Sequence, residues 1–232
     1  MSPDKRGANP RIREAPGSFG PSRAEYAVLM PARPAPRRVD IVLFPGFELL
    51  DVFGPVEALS MAEERVGIRL LGPVAGTVAS SQGTEVVAAA AWADAETPDI
   101  VLVPGGAGTR DLVHDGAFLT WLRGWADEAA IVASVCTGSA VLAAAGLLDG
   151  YRATSNKLAY AWATGFGTEV DWQRRARWVV DRNRWTSSGV SAGTDMALAL
   201  LDSIVEPGAG DRAARLIEHE RNSDPDRDPF AA

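Results

Sequence analysis

Three segments of the chain combine small, acidic or nucleophilic residues with the ends of short apolar runs. Each apolar run has the length of a buried strand, and ligands in open α/β sheets bind beyond the carboxyl ends of such strands. We therefore expect these segments to meet at one edge of a sheet and to form a site. The three segments are 47–55, 104–108 and 136–139.

Cys136 is the only cysteine in the chain and stands between an apolar run and a predicted helix. The helix dipole and the backbone N–H groups at such a turn favour a thiolate, which predicts a lowered pKa and a catalytic nucleophile. Thr137, Gly138 and Ser139 are small and leave the sulfur open to a ligand. The alternative is a buried cysteine that acts as a small hydrophobic residue.

The other two segments supply groups that a thiol nucleophile needs. Gly105 and Gly106 follow a strand and present bare backbone amides, as an oxyanion hole requires, although a tight turn would explain them too. Asp51 lies in an otherwise apolar stretch, where its pKa should rise and suit it to move a proton or hold a water. A helix N-cap is the alternative for Asp51.

Histidine, metal and cofactor chemistry has little basis in the sequence. The two histidines, His114 and His219, lie in polar surroundings and neither directly follows the cysteine, so a Cys-His pair has no good local candidate. One cysteine and two distant histidines do not make a metal site. The segment 105–108 is too short a match to a nucleotide-binding fingerprint, so we expect no cofactor.

The elements that would position these residues alternate between strand-like and helix-like patterns after Arg38. Continuous apolar runs without alternation are typical of parallel strands covered on both faces. The sequence therefore predicts an α/β fold with a mostly parallel central sheet. Predicted strands are 39–44, 68–71, 100–103, 131–135, 176–181 and 185–187; predicted helices are 49–65, 118–128, 140–148, 158–163, 194–205 and 211–221. The segment 77–90 is predicted to be an extended segment or a hairpin, with a turn at 80–83.

Composition limits the class of protein and its partners. The net charge of -7 gives no electrostatic basis for binding nucleic acid or an anionic membrane, and no segment has the length of a membrane span. The Met1-to-Arg13 segment lacks a secretory h-region, and one cysteine cannot form an internal disulfide, which predicts a cytoplasmic location. We expect a small-molecule substrate and a homodimer.

The first 38 residues differ from the rest of the chain. They hold seven of the fifteen prolines and eight Lys or Arg against three acidic residues. Such a segment buries too little apolar surface to offset its ordering entropy. We predict a flexible arm over 1–38, for which a docking role is the alternative, and a catalytic domain over 39–232.

The motifs of the three segments, taken together, resemble the DJ-1/PfpI superfamily. The residues that carry the resemblance are 44–46, 50–55, 103–106 and 134–139, and the segments 145–154 and 189–195 point to its isocyanide hydratase branch. The resemblance implies a flavodoxin-like sandwich, similar to class I glutamine amidotransferases, that dimerises. It also implies that Cys136 attacks the terminal carbon of an isocyanide, that Asp51 acts as acid, base or water holder, and that Thr137, Gly105 and Gly106 frame the pocket.

One departure from that branch leaves the substrate open. Where its members have Thr-Thr-His-Trp, this chain has Thr154-Ser155-Asn156-Lys157. We expect Ser155, Asn156 and Lys157 to contact the substrate and to change the polarity of the pocket. A different electrophile from specialised metabolism is therefore an alternative substrate.

Two further interpretations use the same cysteine. A glyoxalase or deglycase would attack an aldehyde, but the absence of a nearby histidine argues against it. A ligand or redox sensor would use Cys136 as an exposed thiol of low pKa. The resemblance allows this alternative, since the same domain occurs as the sensor half of AraC-type regulators. Since the chain ends at Ala232 without room for a helix-turn-helix domain, we do not expect direct DNA control.

Overall fold

The computed structural model describes residues 35–62 and 64–231. Within this part of the chain, seven strands form the central sheet: β1 (Arg37–Val42), β2 (Val66–Gly72), β5 (Ala90–Ala91), β6 (Ile100–Val103), β7 (Ile131–Ser134), β10 (Trp178–Asp181) and β11 (Arg184–Ser187). Their order across the sheet is β10-β11-β7-β6-β1-β2-β5. All neighbours are parallel except β10 and β11, which pair antiparallel through the register Trp178 to Ser187.

Two small ribbons lie outside the central sheet. β3 (Gly76–Ala79) and β4 (Glu85–Ala88) form an antiparallel hairpin, which is one of the two forms predicted for 77–90. β8 (Arg152–Ala153) pairs parallel with β9 (Asp171–Trp172).

Helices cover the apolar strands, of which β6 is buried at all four positions. The helices are α1 (Leu49–Ser60), α2 (Thr109–Leu112), α3 (Gly116–Ala126), α4 (Gly138–Ala144), α5 (Tyr160–Ala163), α6 (Ala192–Ile204) and α7 (Ala209–Leu216), with a 3₁₀ turn at Trp92–Asp94. α1 packs on α6 and α6 on α7, while α4 contacts α2 and α3.

The predicted mostly parallel α/β sandwich is confirmed, with shifted boundaries. β1 begins at Arg37, inside the predicted arm, because Arg37 and Arg38 pair with Val66 and Gly67 of β2. Residues 1–34 of the predicted arm lie outside the described residues. The first helix ends at Ser60 rather than at 65, since the chain must turn into β2 at Val66.

Candidate active site

Cys136 lies on the turn between β7 and α4 in a left-handed backbone conformation, with φ of 58°. This conformation is costly for a residue other than glycine and persists only where the surroundings hold it. Its amide donates to the carbonyls of Ser187 and Ser188 at 3.2 and 3.0 Å. Its own carbonyl accepts from the hydroxyls of Ser139 and Ser155 at 3.0 and 3.1 Å. Four hydrogen bonds thus fix Cys136 at the end of its strand.

Cys136 is buried, with only 6% of the residue exposed to solvent. Nδ2 of Asn156 donates to Sγ at 3.1 Å, and the backbone amides of Val190 and Thr137 also donate to it. The orientation of the Asn156 side chain is set by Oδ1, which accepts from the amide of Ala159 at 2.8 Å. Three N–H donors therefore converge on one sulfur and can stabilise negative charge on it.

The predicted low pKa of Cys136 is wrong in direction. Burial and then the negative charge of Asp51 raise the pKa of the thiol to about 12, and the three donors offset this only in part. Cys136 does lie on the predicted strand-to-helix turn. However, burial of the thiol raises its pKa by more than the helix dipole and the local N–H groups lower it. At neutral pH the group is therefore a thiol.

Asp51 is the carboxylate whose charge acts on Cys136. It lies in the first turn of α1, is fully buried, and accepts a hydrogen bond on Oδ2 from the amide of Gly105 at 2.7 Å. Its other oxygen, Oδ1, is buried without a hydrogen-bond partner among the described groups. Burial raises the pKa of Asp51 to about 7, against the lowering effect of Gly105; Glu48 raises it further and the Cys136 side chain lowers it.

The glycine amides have a different role from the one predicted. The amide of Gly105 is committed to Asp51, and the amide of Gly106 donates to Oγ1 of Thr137 at 3.1 Å. They are therefore not the bare donors that an oxyanion hole needs. A Cβ on Gly105 would lie 2.6 Å from the Thr137 nitrogen and 2.8 Å from Asp51 Oδ2, so glycine is required for these groups to approach.

Lys157 stabilises the segment that carries Asn156 through hydrogen bonds. Its ammonium donates to Oγ1 of Thr154 at 2.7 Å and to the carbonyls of Ser155 and Ala176 at 3.2 and 2.7 Å. All three donors are engaged, and burial lowers the pKa of Lys157 to about 8. The polar group that reaches the sulfur is Asn156 rather than Lys157.

Two adjoining cavities surround this centre. The first, of about 360 Å³, reaches Cys136 and Thr137, and the second, of about 540 Å³, reaches Lys157; Asn156 and Val190 line both. Gly105 and Ser155 line neither, so the structure gives them supporting positions. The first cavity is also lined by Glu48, Gly106, Ala107, Arg110 and Ala159; the second also by Leu158, Arg174, Ser188, Gly189, Ser191 and Phe230.

The histidines are not brought to the sulfur. His114 packs edge-on against Phe166, with ring centroids 6.1 Å apart. His219 contacts Asp195 through Nε2 at 3.0 Å, and Arg177 also binds this buried carboxylate, at 2.6 Å. Among residues 35–62 and 64–231, no group of three or more His, Cys, Asp or Glu side chains could hold a metal ion.

Sequence reasoning missed three residues of the site. Val190 donates to the sulfur from a strained conformation with φ of 30°, and its only signal was the motif Gly189-Val190-Ser191. Arg110 lines the first cavity with its guanidinium 3.3 Å from the centre of the Trp162 ring. Glu48 also lines this cavity. Neither Arg110 nor Glu48 lies in a sequence pattern that predicts a site residue.

The chain is similar to known proteins in both sequence and structure. The family model described as "DJ-1/PfpI family" matches residues 37–203. The chain is 36% identical over 168 residues to the isonitrile hydratase of Pseudomonas putida, covering 72% of each chain. It is similar in structure to a ThiJ/PfpI family protein from Pseudomonas syringae, with a TM-score of 0.71 and 27% identity over 90% of this chain and 83% of that one.

A transcriptional regulator is also among the relatives. The chain is 33% identical over 171 residues to the HTH-type regulator GbdR of Pseudomonas aeruginosa, covering 72% of this chain. It spans about half, 46%, of that regulator's length.

None of the helices in the described part of the chain is long and apolar enough to cross a membrane.

Proposed function

Since the chain belongs to the DJ-1/PfpI family, we propose that it is a cysteine-dependent hydratase that converts an isocyanide to an N-substituted formamide. The observation that carries the proposal is the pairing of a buried thiol, Cys136, with a buried carboxylate, Asp51, whose pKa is about 7. The similarity to an isonitrile hydratase supports the choice of substrate.

In the first step, Sγ of Cys136 bonds to the terminal carbon of the isocyanide. The thiol proton passes to Oδ1 of Asp51 and from there to the same carbon, which leaves an S-linked thioimidate. A carboxyl group with a pKa near the working pH is suited to both transfers. Asn156, Val190 and Thr137 stabilise charge on the sulfur as its proton leaves.

In the second step, a water oxygen bonds to the thioimidate carbon while Asp51 takes one water proton. Asp51 passes this proton to the nitrogen, which leaves a tetrahedral carbon that bears a hydroxyl group and the sulfur. The carbon–sulfur bond then breaks as the hydroxyl proton passes through Asp51 to the leaving thiolate, and the hydroxyl oxygen becomes the formamide carbonyl. The net reaction adds one water to the isocyanide and regenerates Cys136 and Asp51. Every transfer uses groups already in the site, so this reaction needs no cofactor.

The proposal is tested by incubating the protein with n-hexyl isocyanide and following N-hexylformamide by NMR. We expect catalytic turnover that depends on Cys136. Methylglyoxal, with lactate as the product, tests the glyoxalase alternative in the same assay. Turnover of methylglyoxal without turnover of the isocyanide would refute the hydratase assignment.

The homodimer and the cytoplasmic location remain predictions.

The similarity to GbdR supports a second candidate, a small-molecule sensor. A sensor would bind its ligand in the cavity beside Cys136 without consuming it. Saturable binding of an isocyanide that is recovered unchanged would favour this function over the hydratase.

A further inference from the structure

The first cavity, which reaches Cys136, is lined by two side chains of opposite charge, Glu48 and Arg110. Its volume of about 360 Å³ is within the range of small-molecule sites, so one ligand can contact the sulfur and both charged groups. The reaction steps proposed above transfer no proton to or from either side chain. Both nevertheless line the space that the substrate must enter.

Arg110 lies on α2, and its guanidinium group stacks on the ring of Trp162 from α5, with Cζ 3.3 Å from the ring centre. The guanidinium makes one long hydrogen bond, from Nη1 to Oγ1 of Thr109 at 3.5 Å. No carboxylate among the described residues forms an ion pair with it. Stacking uses the face of the guanidinium group, so the N–H groups at its edge can bind an anion.

Glu48 is held at the start of α1 by two hydrogen bonds. Its amide donates to the carbonyl of Gly105 at 2.8 Å, and its Oε1 accepts from Nε2 of Gln82. Gln82 lies in the turn between β3 and β4, and its Oε1 accepts from the amide of Leu49 at 3.4 Å. In the part of the chain that the structure describes, no cationic side chain pairs with the Glu48 carboxylate, so its second oxygen can accept from a cationic donor on a ligand.

Glu48 and Arg110 do not form an ion pair with each other, although they line the same cavity. The other lining residues are uncharged, with Cys136 present as a thiol. A ligand with a single charge would be attracted by one of the two side chains and repelled by the other. A ligand that carries both charges would be attracted by both, with its anionic group at Arg110 and its cationic group at Glu48. The ammonium and carboxylate of an amino acid have this charge pattern in a small volume.

We propose that Glu48 and Arg110 select a substrate whose substituent ends in an amino-acid group, with the ammonium bound by Glu48 and the carboxylate bound by Arg110. This inference rests on the proposed function for the reactive end of that substrate. The favoured substrate class is an ω-isocyano α-amino acid. Glu48 and Arg110 are then specificity-determining residues, while Cys136 and Asp51 carry out the reaction.

Binding of three formamides, which correspond to products of hydration, tests the site by isothermal titration calorimetry without any reaction. Nε-formyl-lysine carries both charges, 6-formamidohexanoate carries only the carboxylate, and N-pentylformamide carries neither. We expect Nε-formyl-lysine to bind at least about tenfold more tightly than either of the others, since only this ligand matches both charged side chains. The comparison uses the wild-type protein, so it does not depend on the folding of a variant.

Arg110→Gln and Glu48→Gln each remove one charge and should each weaken the binding of Nε-formyl-lysine about tenfold. Arg215→Gln on α7 and Glu57→Gln on α1 remove the same charges from exposed positions that do not line the cavity, and they are the matched controls. Both controls should bind Nε-formyl-lysine as the wild type does. Unchanged binding in either cavity variant would overturn the amino-acid site, and so would equal affinity of the wild type for Nε-formyl-lysine and 6-formamidohexanoate.

Kinetics with 2-amino-6-isocyanohexanoate and n-pentyl isocyanide separate this inference from the proposed function. We expect kcat/KM to be at least about tenfold higher for the amino acid, and we expect this ratio to fall about tenfold in Arg110→Gln. Equal kcat/KM values for the two isocyanides would overturn the amino-acid site and leave the hydratase intact. If the binding of Nε-formyl-lysine depends on Arg110 and Glu48 but neither isocyanide reacts, the site stands and the hydratase fails.

Discussion

Nδ2 of Asn156 lies 3.1 Å from Sγ of Cys136 and is the side-chain donor to the proposed nucleophile. Its position depends on long-range contacts, since Lys157 ties the same segment to the carbonyl of Ala176. An amide in this position can donate to the sulfur at every pH, whereas a histidine would donate according to its protonation and tautomer.

Asn156→Leu should therefore slow the reaction while keeping the volume of the side chain. A hydrogen bond to a charged group contributes roughly 1.5–3 kcal/mol, so kcat should fall about 10- to 100-fold. Steady-state kinetics on n-hexyl isocyanide measure this. An unchanged kcat would mean that the amide does not stabilise the developing thiolate.

The pH dependence of the reaction should follow Asp51, whose pKa is raised to about 7. Only the ionised carboxylate can accept the thiol proton, so kcat/KM should rise with pH through about 7. Asp51→Asn should lose roughly 100- to 10,000-fold in rate and also lose that limb of the profile. A rate that falls as pH rises through 7 would assign the base to another group.

Ionisation of Asp51 should also lower the free energy of unfolding as pH rises. Its pKa in the folded protein, about 7, exceeds the ordinary value of 3.8, so between these values the folded state binds more protons than the unfolded state. The contribution of Asp51 to the free energy of unfolding is thus fully present below pH 4 and is lost as pH rises through 7. Urea unfolding from pH 4 to 8 should show a steeper decline in wild type than in Asp51→Asn; parallel curves would contradict the raised pKa.

Gly105→Ala should damage the site through a single methyl group. The added carbon would meet the Thr137 nitrogen at 2.6 Å and Asp51 Oδ2 at 2.8 Å, which forces the base or the turn to move. We expect kcat to fall at least about tenfold, as small displacements of catalytic groups are costly. Gly124→Ala, where a Cβ meets nothing within 4 Å, is the matched control and should retain full activity. Equal kinetics in the two variants would refute this positioning role.

The strand ends that form the site were predictable from the sequence because their signals are local. The apolar run before Cys136 and the run closed by Pro104 and Gly105 each indicate a buried strand by themselves. Parallel strands place their carboxyl ends at one edge, so Cys136 and Gly105 were expected together, and β6 and β7 do pair parallel.

The ionisation of the site could not be predicted in the same way. The pKa of Cys136 depends on burial beneath the segments that carry Asn156 and Val190, which come from distant parts of the chain. The use of the Gly105 amide likewise depends on where α1 places Asp51. Local dipoles at a turn are visible in a sequence, whereas the desolvation that outweighs them is a product of tertiary packing.

Covalent attack by Cys136 is the central claim, and rapid-quench mass spectrometry of peptides tests it most directly. During turnover of n-hexyl isocyanide, the peptide that contains Cys136 should gain the mass of one isocyanide, and the adduct should decay as N-hexylformamide appears. Turnover without any adduct on that peptide, at an equal rate in Cys136→Ala, would contradict the account.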